Sequence, residues 1–442
     1  MFSKNRWLWL LLSLFFSFVL CGFSQKINMA NGELGLVSKT SFEGVIAYVG
    51  LDGDIYILFG ETGQRIQLTY DSDQHQYRNL QFSPDNQLLA FLKSDSQKGE
   101  SRFDLYVLNL LDKTTRMLAE DVENYDFAPD GESIAFGYDM RINCQSYDRN
   151  TAHGIWKVSL VTGQLEEIIP ASANTPKDSP AFSFDGQWLS YQEYPCFSSG
   201  FVTHVWSIVS HEDINLGIGD LEWAPDKNLL LWSEDTSYSG GGIAGVILRS
   251  PDDKDYQLIY QDKQMTAYAS FWSPSKKWIA IVLGTPIDSG PYFAPSEMER
   301  RLVLVKPDGS QLQEIYPESD FGSVIWSPTG EQIIFKTNVQ EHPVWKLYQI
   351  DTQELIGLPD FGVGELDWTS TIDIPQAAST EITPTQTITS ASNPEIFRTE
   401  SITNVSINSS NSKILILSFG GIGLIIISGV ILLFVLLNAR KK

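Results

Sequence analysis

Basic residues are in short supply. The 442-residue chain carries 31 Lys and Arg against 54 Asp and Glu, a formal charge of −23. Setting aside the six cations that flank the two terminal apolar runs (Lys4, Arg6, Lys413, Arg440, Lys441 and Lys442) takes −23 to −29 for the remainder. A field of that sign repels phosphate backbones and anionic surfaces, which excludes nucleic acid as a partner. Histidine is scarcer still, at five. His153, His204 and His342 stand shortly before Trp156, Trp206 and Trp345, where apolar strands open. That placement fits a polar position at the start of a strand better than a shared metal site, so no metal is expected. No G-x-S-x-G elbow is found, which removes a serine-hydrolase domain from consideration. The Gly-rich stretch Tyr238–Gly245 leads into a strand rather than a helix and cannot cradle a phosphate. No catalytic set and no cofactor are expected.

Long apolar runs are absent from the body of the chain and present at both ends. Residues 1–24 begin with Lys4 and Arg6, continue through an apolar stretch to Leu20 and end on Gly22, Phe23 and Ser24. That order is the pattern of a secretory signal peptide. Lipidation at Cys21 is not expected, because Leu20 stands where a small residue is required. After a short lead-in (25–41) and the body of the chain, residues 372–413 are rich in Ser and Thr with scattered Pro, a composition that reads as an extended stalk. Residues 414–437 carry no charge and are long enough to cross a bilayer as one helix. Arg440, Lys441 and Lys442 follow within the short tail 438–442, which places that tail in the cytoplasm. The expectation is a single-pass cell-membrane protein with its N-terminal domain outside. Cys144 and Cys196 are then the two thiols left in an oxidising compartment, and they are expected to bridge.

Between these ends one phrase recurs. "FSPDNQLLAF" starts at Phe82, "FAPDGESIAF" at Phe127, "FSFDGQWLSY" at Phe182, "WAPDKNLLLW" at Trp223, "WSPSKKWIAI" at Trp272 and "WSPTGEQIIF" at Trp326, with a worn start around Trp368. A period of forty to fifty residues signals a repeat architecture. Each unit gives a strand ending in an aromatic, a tight turn, an apolar strand, a variable loop, and two more strands of alternating character, as in Asp104–Leu110 and Arg65–Tyr70. Four antiparallel strands repeated around an axis make a β-propeller blade. The first unit (Val45–Tyr70) lacks its first strand, and the last start (Glu365–Thr371) lacks the other three. The chain is therefore expected to be all-β, a seven-bladed propeller over 42–371 in which the C-terminal strand completes the N-terminal blade. Six blades is the fallback should the terminal unit not be a true blade.

The recurring "FSPDG…IAF…DLYVLNL" pattern resembles the TolB-like, WD-like β-propeller repeat over nearly all of the expected exported part. That resemblance implies the propeller fold and permits scaffold, receptor or filter roles. The function expected is non-catalytic: a membrane-tethered propeller, monomeric, presenting a face to a protein, peptide or glycan ligand. The alternative is a propeller enzyme, a hydrolase or lyase on polysaccharide or peptide, working at the channel mouth. The turns between first and second strands are terse, whereas those between second and third lengthen to Asp139–Ala152, Asp235–Gly242 and Gly284–Arg300. Long loops on a rigid scaffold are where binding residues gather. Tyr147, Tyr194, Tyr238 and Tyr292 lie in such loops and are the candidate binding residues.

Overall fold

A computed structural model of the chain describes residues 42–372, apart from 95–101, 140–152, 172–174, 195–199, 235–244, 254, 263–264, 285–299, 317–320, 340–341, 359–360 and 362–365. The stretches read as signal peptide, stalk and membrane span, and Cys144, Cys196, Tyr147, Tyr238 and Tyr292, lie outside the described residues. Among the described residues there are 28 strands and no helix. The strands form seven four-stranded antiparallel sheets, the blades of a propeller ring.

In the first blade the order is β28 (Leu366–Thr369), β1 (Val45–Val49), β2 (Ile55–Phe59) and β3 (Arg65–Gln67). The C-terminal strand thus supplies the missing first strand, pairing Val45 with Thr369 and Tyr48 with Leu366. Indole Nε1 of Trp368 donates to the Glu43 carbonyl at 2.6 Å, and Phe42 meets the Trp368 ring edge-on at 5.8 Å. Gly44 makes the approach possible. Its φ is +72°, and a Cβ there would stand 2.3 Å from the Thr369 carbonyl oxygen. Strand β3 stops sooner than the sequence pattern suggests. The Thr69 hydroxyl takes the Ile55 amide at 2.8 Å, so a side chain replaces the ladder bond that a longer fourth strand would make.

The remaining blades are consecutive. Their first strands are β4 (Tyr77–Phe82), β8 (Val122–Phe127), β12 (Lys177–Phe182), β16 (Gly219–Trp223), β20 (Thr266–Trp272) and β24 (Phe321–Trp326). First strands pack against those of neighbouring blades, β8 on β12, β16 on β20 and β28 on β4, and so line the centre. Second strands are buried on both faces because a blade lies to either side. All of β1 and all of β21 (Ile279–Gly284) are buried, which is why they read as continuous apolar runs. Fourth strands such as β7 (Thr115–Ala119) are mostly exposed.

The repeated phrase owes its letters to the turn it builds. Asn86 N donates to the Ser83 carbonyl at 2.8 Å, with Asn86 at φ +58°, where glycine stands in "APDG" and "SPTG". The Ser83 hydroxyl accepts the Leu88 amide at 2.9 Å and donates to Asp85 at 2.6 Å. Ser183 and Ser327 do the same for Trp188 and Gln332, at 3.1 and 3.0 Å. Each such bond contributes about 1 kcal/mol net, and leaving the amide unpaired would cost more. The phrase is architectural.

The channel mouth and its polar network

In an up-and-down blade the turn from first to second strand shares one end of the ring with the turn from third to fourth. Loops between second and third strands, and connections between blades, share the other. First strands begin at this second end, and there five of them are irregular, those of the second, third and fourth blades among them. The pairing of β4 slips between Arg78 and Gln81, that of β8 between Val122 and Asn124, and that of β12 between Asp178 and Ala181. Asn79 and Ser179 take positive φ, +51° and +54°. Bulges of this kind re-aim side chains that regular pleating would point elsewhere.

The re-aimed groups meet one another. Asn79 Nδ2 donates to Asn124 Oδ1 at 3.1 Å, and Asn124 Nδ2 donates to Asp178 Oδ2 at 2.6 Å, so one amide chain joins the second, third and fourth blades. The Tyr125 hydroxyl donates to the Asn79 carbonyl. Arg78 pairs with Glu123 at 3.3 Å and lays its guanidinium 4.0 Å from the centroid of the Phe103 ring. Asp178 ends the amide chain and is only 2 % exposed. Burial pushes its carboxyl up to about 6 despite the hydrogen bonds from Asn124 and Ser179. Its Oδ1 is buried without a partner. Room for the group exists because Gly137, on the third blade, has no side chain; a Cβ there would lie 2.3 Å from Asp178 Oδ1.

Behind Asp178 a file of charges crosses the whole fourth blade. Lys177 lies 3.5 Å from Glu193, Glu193 3.3 Å from His204 Nε2, and His204 Nδ1 3.0 Å from Asp213. These residues come from β12, β13 (Trp188–Glu193), β14 (Val202–Ser207) and β15 (Asp213–Gly217) in turn. Tyr191 stacks on His204 at 5.1 Å and donates to Asp213 at 3.1 Å. Burial works to raise the Asp213 carboxyl, but the bond and charge of His204, with Tyr191 and Lys177, outweigh it and hold it low. His204, the third residue of β14, is buried and held between Glu193 and Asp213. Among the described residues no group of three His, Cys, Asp or Glu is arranged to hold a metal.

Further along the channel, the residue before the repeated aromatic is acidic in three blades. Asp367 accepts the Phe82 amide at 2.6 Å, Asp126 the Phe182 amide at 2.8 Å and Glu222 the Trp272 amide at 2.5 Å, each stitching one blade to the next. Gln81 adds a bond to Asp126 at 2.8 Å. Burial pushes Asp126 and Asp220 up to about 6, raises Asp367, and raises Glu222 well above the usual range.

Of the tyrosines singled out from the sequence, Tyr194 alone is described. It sits at the mouth, its phenol donating to Gln192 and its ring 5.6 Å from Phe201. Burial raises it to about 12, with Ser179 opposing and Asp178 and Glu123 adding to the rise. The groups around it (Arg78, Asn79, Asn124, Asp178) were not anticipated. A signal existed: "YRNLQF", "VENYDF" and "KDSPAF" all place polar residues where an innermost strand would be expected to be apolar.

No family model matches the chain, and no curated protein sequence matches it. Solved structures do resemble it. A structure described as one of two prolyl endopeptidases superposes with a TM-score of 0.54 at 12% identity, covering 74% of this chain and 50% of that one. The chain thus spans about half the length of that peptidase. An oligogalacturonate lyase from Vibrio parahaemolyticus gives 0.51 at 14% identity, covering 72% and 86%. TolB from Acinetobacter baumannii gives 0.44 at 15% identity, covering 75% and 67%. At these identities the likeness concerns the fold alone: this chain is similar to β-propeller proteins in its blades.

Proposed function

We propose that this chain is a membrane-tethered, extracytoplasmic propeller that binds a protein, peptide or glycan ligand at the long-loop mouth of its channel, without transforming it. The observation that carries this reading is the convergence of Asn79, Asn124 and Asp178, from three blades, at the end where the long loops leave the ring. Bulged innermost strands cost regular pairing, and polar groups held in register by neighbouring blades are a rigid base on which loops can specify a partner. The test uses residues 25–375, expected to be a soluble β-rich monomer, immobilised and exposed to fractionated surface proteins and glycans. Shortening Gly284–Arg300 to a tight turn should abolish capture while melting stays nearly unchanged. Capture that survives this trimming and fails when the opposite turns are altered would put the binding face at the wrong end.

A second reading rests on Asp178. A buried carboxyl held near 6 with an unpaired oxygen has the character of a general acid. Turnover of a polysaccharide or peptide substrate that Asp178→Asn abolishes would favour the enzyme and defeat the binding reading.

A further inference from the structure

The end of the ring opposite the long loops carries a feature that the mouth does not explain. Third-to-fourth turns of five blades close with the same backbone bonds, so their tips can be aligned. Asn109 N takes the Thr114 carbonyl, Ser159 N the Gln164 carbonyl, Ser207 N the Glu212 carbonyl and Phe59 N the Gln64 carbonyl, while in the seventh blade Gln353 N reaches back to Gln349 as Lys113 N does to Asn109. The tip residue is Leu111, Val161 and Val209 in the second, third and fourth blades, exposed by 63 %, 81 % and 73 %. The same position holds Glu61 in the first blade and Asp351 in the seventh, and Pro251 and Pro307 stand in the corresponding turns of the fifth and sixth. Phe184 adds a fourth apolar tip, 52 % exposed, where the equivalent turns of the other blades carry Pro84, Pro129, Pro225, Pro274 and Pro328. At the aligned tip position exposed aliphatic side chains occur in three adjacent blades, while Leu312, 54 % exposed, lies elsewhere in the sixth blade's third-to-fourth connection. Clustered exposed apolar groups mark contact surfaces.

Beside these tips, between the third and fourth blades, lies a cavity of about 430 Å³, lined by their chain neighbours Asp185 and Ile208 rather than by the tips themselves. Its apolar wall includes Trp206, and its rim includes the carboxylates of Asp130 and Glu166. Four acidic residues line it against one lysine, Lys157, which is 3.3 Å from Glu166. His211 approaches the Trp206 ring edge-on at 5.7 Å, leaving the indole part of the wall. An indole beside carboxylates in a concave site is an environment that favours a cation. We infer that this end of the ring is a second docking surface, for a protein segment that presents one lysine or arginine between apolar side chains. The cation enters the cavity, and the flanking apolar groups cover Val161, Phe184 and Val209. Charge complementarity selects this occupant over a lipid surface, since an anionic headgroup would face the carboxylates.

The probe is a short fluorescein-labelled peptide with a central arginine flanked by leucines, titrated against the full-length chain by anisotropy. Replacing its arginine by citrulline should weaken binding roughly tenfold, the scale of a desolvated cation over an aromatic ring. The double variants Asp130→Asn with Glu166→Gln, and Phe184→Ser with Val209→Ser, should each lose a similar factor; both lie on exposed turns or edges and leave the core alone. Leu51→Ser, on an exposed turn at the other end of the ring, should leave the affinity for this peptide unchanged, which separates this surface from the mouth end. The inference is overturned by absence of binding at millimolar peptide, by equal binding of the citrulline peptide, or by loss in Leu51→Ser alone. It is overturned equally if sedimentation shows self-association that Phe184→Ser with Val209→Ser removes, since the occupant would then be a second copy.

Discussion

Replacing Asp178 by asparagine should reverse part of the pH dependence of folding. The side chain is 2 % exposed, and burial moves its carboxyl from 3.8 to about 6 even with Asn124 and Ser179 donating to it. At ~1.36 kcal/mol per tenfold change, ionising it in the folded chain costs about 3 kcal/mol more than in the unfolded chain. A folded-state value above the unfolded one means that the folded state holds the proton more tightly. This group's stabilising contribution is therefore complete below about pH 4 and is lost as pH rises through about 6. Asparagine keeps the shape and can still accept from Asn124, but never ionises. Urea titrations of residues 25–375 at pH 4.5 and pH 8 isolate the effect, because costs that do not vary with pH cancel between the two conditions. The gain of the variant over the parent should be larger at pH 8 than at pH 4.5 by roughly 2 kcal/mol, since at pH 4.5 the unfolded carboxyl is already largely ionised. An equal difference at both values, or a larger loss at pH 8, would refute the claim that Asp178 is a buried charge carried at a cost.

Three further outcomes are expected. Gly137→Ala should destabilise the ring by about 1–3 kcal/mol, because its Cβ would stand 2.3 Å from Asp178 Oδ1 and one of the two must move; an unchanged urea midpoint would show that the gap is slack. On the proposed export, Cys144 and Cys196 should resist alkylation until reduced, and removing the bridge should cost about 2–4 kcal/mol; two thiols that label in the folded chain would mean no bridge. Ending the chain before Leu366 should abolish cooperative unfolding, since β1 would lose the partner that pairs Val45 to Thr369; an unaltered transition would mean that the ring does not depend on that closure.

The fold was legible because its determinants are local and repeated. Ser83, Asp85 and Asn86 satisfy one another within a single turn, so each copy of the phrase announces a first strand wherever it occurs. The shared first blade was legible by counting strands, and the complete sheet of β28, β1, β2 and β3 settles seven over six. The mouth was less legible. Asn79 and Asn124 are 45 residues apart, and they meet only because bulges turn both toward the same point. No period reports a bulge. Of the loop tyrosines, Tyr194 does reach the mouth, but as a half-buried neighbour of Asp178 and Ser179.

Closure of the ring also sets an order of events. Six blades are made of strands that follow one another along the chain, so each can pair as soon as it is synthesised. The first blade cannot. Its Trp368 and Glu43 are 325 residues apart in sequence, and the bond between them requires almost the whole propeller to be in place. Contacts of that separation form late, because the entropy of closing the intervening chain must be met before they contribute. Until β28 arrives, the open edge of β1 is a template for any other strand, including that of another nascent copy. Refolding should therefore show a slow final phase, reported by Trp368, whose rate is independent of protein concentration when dilute and which gives way to association when concentrated.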